Sequence, residues 1–156
     1  MFKVITVKQP WAQLIVMGLK EWETRSKGTP HRGELYIQSS KAFDEEDWEL
    51  CVTNPFFKEA IPDPNRLVCG EIIGKVDVTA VQKTEVIRQL LRMNDTYKGK
   101  RELAFGDFRD GRFGYQCSNA VEFSNHIKVR GQLGIWNSAL PLDKILVPKV
   151  KEVVYV

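Results

Sequence analysis

The densest group of side chains able to do chemistry is Gly18-Leu19-Lys20-Glu21-Trp22-Glu23-Thr24-Arg25. An ammonium, a carboxylate and a guanidinium fall within six residues. On a strand, alternation puts Glu23 and Arg25 on one face, where a carboxylate can hold a guanidinium fork, while Lys20 in the preceding turn can swing toward either. A plain surface ion pair would use the same residues and contribute little. A lysine crowded by Arg25 and packed against Trp11 and Trp22 has its charged form disfavoured, which suits a base or proton donor near neutral pH, whereas Glu23 opposes that shift. Lys20 is thus either a proton-transfer group or an anchor for a phosphate or carbonyl, and the residues alone leave both open.

Other residue types offer binding rather than turnover. Any of Trp11, Trp22, Trp48 and Trp136 can stack a splayed base, a contact worth about 1–3 kcal/mol, and Trp22 and Tyr36, on strands beside the cluster, are the candidates for an accessible ring. Tyr97-Lys98-Gly99-Lys100-Arg101 interleaves an aromatic ring with cations and reads as a polar loop able to clamp a nucleic-acid backbone. Gly106 to Arg112 mimics a phosphate loop, but Phe113 stands where Ser or Thr is required and no helix is expected to follow. His31 and His126 have no serine or cysteine motif beside them and read as a loop residue and a strand-end residue. No metal site can be built from first-choice ligands and no cofactor is expected, although Glu23 and Glu71 together could hold magnesium weakly.

The elements that must position these groups are short. Val4 to Val7 reads as a strand, and Pro10 opens a helix carrying Trp11, Leu14, Ile15 and Leu19, which stops near Gly18. Glu21 to Ser26 and Gly33 to Ser39 follow as two strands, expected to form a hairpin-like pair with Leu35 and Ile37 buried. Asp44 caps an acidic helix whose buried stripe is Trp48, Cys51 and Val52, and Asn54-Pro55 ends it. Residues 53 to 65 read as irregular. A long strand runs from Val68 to Val78, with Gly70 and Gly74 as bends. Val86, Ile87, Leu90 and Leu91 mark another helix, Asn94 to Arg101 a polar loop, and Asp110-Gly111 a hairpin turn between strands ending near Arg109 and starting near Arg112. Further strands fit Arg112 to Phe123, Gln132 to Trp136 and Val150 to Val156. Many short strands with two or three inserted helices and no β-α-β alternation indicate an α+β fold, a small mixed β-barrel.

The whole chain is consistent with this picture. Its 156 residues suit one domain over 1–156, and 43% hydrophobic with 28% charged residues excludes wholesale disorder. A net charge of +3 is too small for a basic coat, so an anionic partner must be met by a local patch. Seven Lys or Arg face three acids in residues 1–41, one faces seven in 42–65, and 15 face ten in 66–156, so an acidic segment sits between two basic ones. Cys51, Cys69 and Cys117 form no C-x-x-C pair, which points to a reduced, cytoplasmic protein. The apolar run Leu14 to Leu19 is far too short for a signal sequence or a membrane span.

The motif Gly18-x-Lys20-x-x-Glu23-x-Arg25 resembles the signature of the ASCH domain family. So do its flanks: Pro10-Trp11-Ala12, Arg32-Gly33-x-Leu35-x-Ile37-x-Ser39-Ser40-Lys41, Cys69-Gly70-Glu71-Ile72-Ile73-Gly74, Gly111-Arg112-Phe113-Gly114-Tyr115 and Gly131-Gln132-Leu133-Gly134-Ile135-Trp136. The resemblance implies a PUA-like barrel with a cleft that binds RNA or a modified nucleotide or nucleoside through Lys20, Glu23 and Arg25, with Arg32, Ser39, Ser40 and Lys41 as neighbours and Trp22 as the stacking candidate. Some members resemble an N4-acetylcytidine amidohydrolase that uses a lysine, a threonine and a glutamate, which implies Lys20, Glu23 and Thr24 as a catalytic set. In that pattern the threonine stands three residues after the lysine. Here Glu23 holds that place and Thr24 follows it. Ribonuclease activity is the other hydrolytic expectation, and an interaction surface on the acidic helix from Asp44 to Glu49 is a third reading.

Overall fold

A computed structural model describes residues 1–150. The strands β1 (Phe2–Val7), β2 (Trp22–Arg25), β3 (Gly33–Ser39), β4 (Glu71–Lys83), β5 (Phe113–Lys128) and β6 (Ile135–Ser138) form one sheet in the order β2-β5-β4-β3-β1-β6. Six helices accompany it: α1 (Trp11–Val16), α2 (Glu45–Thr53), α3 (Pro55–Ala60), α4 (Thr84–Met93), α5 (Tyr97–Phe105) and α6 (Leu142–Ile145). The fold is α+β and PUA-like, with more helices than the two or three expected. Among the described residues the sheet is not closed: β2 and β6 are its edges. Register shifts between Ile72 and Gly74, Lys75 and Asp77, and Val78 and Ala80 interrupt the long β4–β5 ladder, and bulges of this kind bend and twist a sheet.

β3 is the centre. Leu35 to Ser39 are five consecutive buried residues, and β1 pairs parallel to one edge while β4 pairs antiparallel to the other. This corrects the expected hairpin of β2 with β3. Both edges of β3 are occupied, so β2 pairs instead with β5, Glu23 opposite Tyr115 and Arg25 opposite Phe113. Leu35 and Ile37 are buried as their alternation requires. Helix α1 lies directly on β4 at Gly74, where a Cβ would sit 2.4 Å from Val16 Cγ1 and 2.5 Å from the Val121 carbonyl oxygen.

Other expectations are corrected. Asn94 to Arg101 is not a loop throughout: Thr96 caps α5 by accepting a hydrogen bond from the Gly99 amide, and the helix runs to Phe105. Residues 53 to 65 hold α3, capped by Asn54, and a 3₁₀ turn over Pro64–Arg66. Asp44 does cap α2, but Trp48 is 39% exposed, and the helix buries Asp47 and Cys51. Tyr36 is 1% exposed and packs on Phe123, so it offers no ring to a ligand. Asp110-Gly111 is a turn, yet no strand precedes it, because the chain leaves α5 through Gly106 to Arg109 without pairing. The strand expected at Val150 to Val156 lies, apart from Val150, outside the described residues. Among those described, no helix is long and apolar enough to cross a membrane.

Candidate functional site

The turn after α1 sets the site. Gly18 takes a φ of +76°, a left-handed conformation that glycine adopts without steric cost, and the amides of Leu19 and Lys20 both donate to the Leu14 carbonyl. That closure drops Lys20 inward, where it is 1% exposed. Its Nζ donates to the Trp22 carbonyl and lies 3.5 Å from Glu23 Oε1. Along β2, Glu23 and Arg25 share a face as alternation requires, and Arg25 Nη2 donates to Glu23 Oε2 (3.1 Å) and to the Thr6 carbonyl on β1 (2.8 Å). Among the described residues no partner holds Arg25 Nε or Nη1, and the side chain is 29% exposed.

A second carboxylate lies behind the lysine. Glu102 on α5, 3% exposed, accepts hydrogen bonds from the Glu21 amide (3.1 and 3.0 Å) and the Trp22 amide (2.8 Å), tying α5 to the entry of β2. The two carboxyls respond oppositely. Burial pushes Glu23 up, but Lys20, Arg25 and their hydrogen bonds outweigh it and hold the group below the usual carboxylate range. At Glu102 burial prevails over Lys20 and the two amides, and the carboxyl is raised.

These groups open on a cleft of about 510 Å³ whose wall includes Thr6, Lys8, Trp11, Lys20, Glu23, Thr24, Arg25, Asp107 and Arg112. Four cations and two carboxylates line it, and Asp44 and Asp47 beside Lys8 bring the carboxylates to four, so what the cleft offers an anion is directed hydrogen-bond donors rather than net charge. Each cation is braced. Lys8 reaches Asp47 (2.8 Å) on the acidic helix α2 and its N-cap Asp44 (3.2 Å), and Arg112 Nε lies 3.4 Å from Asp107 while its Nη2 donates to the Thr24 carbonyl (3.2 Å). Thr24 Oγ1 accepts from the Asp107 amide (3.2 Å). The Asp107 carboxyl is held below its ordinary value, chiefly by hydrogen bonds from Arg109 and further by Arg112. Trp11 is partly buried, its indole edge-on to Phe57 at 6.0 Å between centroids.

The structure thus brings together Lys20, Glu23, Thr24 and Arg25, and not the remaining sequence candidates. Trp22 packs over Gly114, where a Cβ would be 2.9 Å from its ring, and does not line the cleft. Arg32 is exposed and donates to the Thr29 and His31 carbonyls (3.0 and 2.9 Å). Ser39 is fully buried, its hydroxyl bonded to the Glu71 backbone. Ser40 and Lys41 line a separate groove. Glu71 lies beside His126 (3.6 Å) and not in the cleft, and among the described residues no three His, Cys, Asp or Glu side chains gather as a metal site. Sequence reasoning missed Glu102, Asp107 and Arg112. Thr96, a good capping residue, was the available signal for the helix that carries Glu102.

A six-stranded, bulged sheet with a braced cationic cleft beside its β2 edge defines a small PUA-like domain. The chain belongs to the ASCH domain family, whose model matches residues 5–137. It is 29% identical over 138 residues to human activating signal cointegrator 1 and 27% identical over 136 residues to the mouse protein, each match covering 85% of this chain. The chain spans only 21% of the length of these relatives. Among solved structures it is similar to ASCH from Zymomonas mobilis, with a TM-score of 0.56 and 12% identity over 92% of this chain and 94% of that one. A mutant of that protein gives 0.54 and 13%, covering 92% and 97%. At such identities the likeness concerns the fold.

Proposed function

We propose that the chain binds single-stranded RNA or a modified nucleotide, with one nucleotide entering the cleft between Trp11 and Arg25. The observation that carries this reading is the posture of Arg25. One nitrogen is fixed on Glu23 and Thr6, which leaves Nε and Nη1 as aimed donors for a phosphate or a base carbonyl. The Trp11 indole supplies a surface on which a base stacks. Titrating the protein with mononucleotides, modified nucleosides and short oligoribonucleotides, followed by tryptophan fluorescence, tests it. Arg25→Ala should weaken binding by about 10- to 100-fold, the equivalent of a lost charge-assisted hydrogen bond, and Trp11→Ala by a similar amount. Wild-type binding that survives both changes would remove the cleft from consideration.

A second reading, hydrolysis of an acylated pyrimidine nucleoside or of RNA, is favoured by one observation: in the wall of the cleft Lys20 Nζ lies 3.5 Å from Glu23 Oε1 with Thr24 the next residue along, so an amine, a carboxylate and a hydroxyl adjoin the same space. Lys20, Glu23 and Thr24 would be its catalytic groups. Product formation by the wild type that is lost in Lys20→Arg supports it, because arginine keeps the charge but does not release the proton.

A further inference from the structure

The separate groove that takes Ser40 and Lys41 has a volume of about 1070 Å³, and its cations are Lys41, Lys128 and Arg130. Among the described residues no carboxylate lines it and none of the three cations is ion-paired. Its one other ionisable group among the described residues is Cys69, whose thiol burial pushes up, with Glu71 adding to the shift, so it brings no negative charge near neutral pH.

Both walls are fixed. Ser40 donates its amide to the Val7 carbonyl (2.8 Å), the Gly70 amide donates to Ser39 (2.9 Å), and the Val129 amide reaches Gly70 (3.3 Å). The Gln38 carboxamide donates to the Val129 carbonyl (2.6 Å) and accepts from Thr6 Oγ1 (2.8 Å), which seats the segment bearing Arg130. That segment approaches so closely at Gly131 that a Cβ there would be 3.0 Å from both Gln38 Oε1 and Thr6 Oγ1. Thr6 lines the groove and the cleft alike, and its carbonyl is the oxygen that holds Arg25. The two depressions therefore have Thr6 in common.

We propose that this groove is a track for the phosphodiester backbone of a single RNA strand whose neighbouring nucleotide occupies the cleft, an inference that rests on the binding reading above. Exposed, unpaired cations on a fixed wall suit a run of phosphates, which need charge at intervals rather than one deep pocket. An acidic peptide is the competing class of ligand, and the common residue Thr6 favours RNA because it sets the groove beside a cleft lined by the Trp11 ring.

The test measures binding of a uridine mononucleotide and of an oligouridylate of about eight nucleotides across a salt series. It compares the wild type, Arg25→Ala and the combined K41A/K128A/R130A variant, whose three side chains are exposed and leave the core untouched. The track requires the triple variant to lose at least about tenfold in oligonucleotide affinity, and its log-log salt slope to flatten by about 2, at about 0.7 per phosphate contact, while mononucleotide binding is unchanged. Unchanged oligonucleotide binding in the triple variant, with Arg25→Ala still harmful, overturns the track and leaves the cleft reading standing. Loss in the triple variant with none in Arg25→Ala overturns the cleft reading and, with it, the proposal that one strand occupies both depressions. Equal losses for mononucleotide and oligonucleotide in the triple variant overturn the track, as does polyglutamate competing as strongly as the oligonucleotide. A wild type that binds neither ligand overturns both.

Discussion

The cleft and the groove solve the placement of positive charge in opposite ways. In the cleft every cation is held by a carboxylate: Lys20 and Arg25 share Glu23, Arg112 has Asp107, and Lys8 has Asp44 and Asp47. In the groove Lys41, Lys128 and Arg130 are exposed, with no such brace among the described residues. Bracing fixes a donor's direction and suits recognition of one group, but at Lys20 and Glu23 it places charges inside the protein, where losing a partner is costly. Unbraced surface cations cost the fold almost nothing and act through the long-range field, which salt screens. The same residue types therefore govern stability in one region and salt dependence in the other.

The largest expected effect breaks the braced side. Lys20→Ala leaves Glu23 without its lysine and Glu102 without the one favourable charge near it, so urea unfolding near pH 7 should show a loss of about 3–5 kcal/mol, the usual result of removing one member of a buried pair. A loss below about 1 kcal/mol would mean that this cluster behaves as an exposed pair and that the contrast with the groove is false.

A sharper version uses pH, because the two carboxyls carry opposite signs. Glu23 has a lowered folded value, so its contribution to stability is present above the ordinary carboxyl range and is lost as the pH falls through the folded value. Glu102 has a raised folded value, so its contribution is present at low pH and is lost as the pH rises from the ordinary carboxyl value through the folded one. With urea unfolding followed from acid to neutral pH, the stability difference between wild type and Glu23→Gln should grow with pH below about 4.3, the unperturbed glutamate value, and that between wild type and Glu102→Gln should shrink above it. Parallel curves for the two variants would show that Lys20 does not discriminate between them.

How far the sequence exposed this contrast depended on whether the interaction was local. Glu23 and Arg25 are two residues apart on one strand, so alternation alone puts them on one face, and Gly18 announces the turn that drops Lys20 inward. The buried pair Leu35 and Ile37 and the Asp44 cap were legible for the same reason. Glu102 was not, because it reaches β2 from a helix some eighty residues later whose cationic first turn, with Gly99 inside it, reads as a loop. The pairing of β2 with β5 was invisible for a related reason: which strand accepts an edge is decided by which edges β3 has already filled, and that is a property of the whole sheet. The burial of Trp22 was hidden on the same ground, since the close approach of Gly114 gives it a packing site that no local pattern reveals, while Trp11 lines the cleft.

The smallest expected effect concerns the cations on α5, which in sequence looked like the backbone clamp. Lys98 is ion-paired with Glu21 at 2.6 Å and Lys100 with Asp95 at 3.4 Å, so each adds little net field to a strand passing nearby. They differ from Lys41, Lys128 and Arg130 in that respect while resembling them in type and exposure. Replacing Lys98 and Lys100 together by alanine should therefore leave the salt slope of oligonucleotide binding unchanged and shift stability by less than about 1 kcal/mol, as removal of exposed pairs does. Freed of their lysines, Glu21 and Asp95 would lower the local potential, so any change in affinity should be a slight weakening that salt screens out. A slope that flattens by about 1.4, the value for two lost phosphate contacts, would move the backbone path from the groove to α5 and end the comparison in favour of the helix.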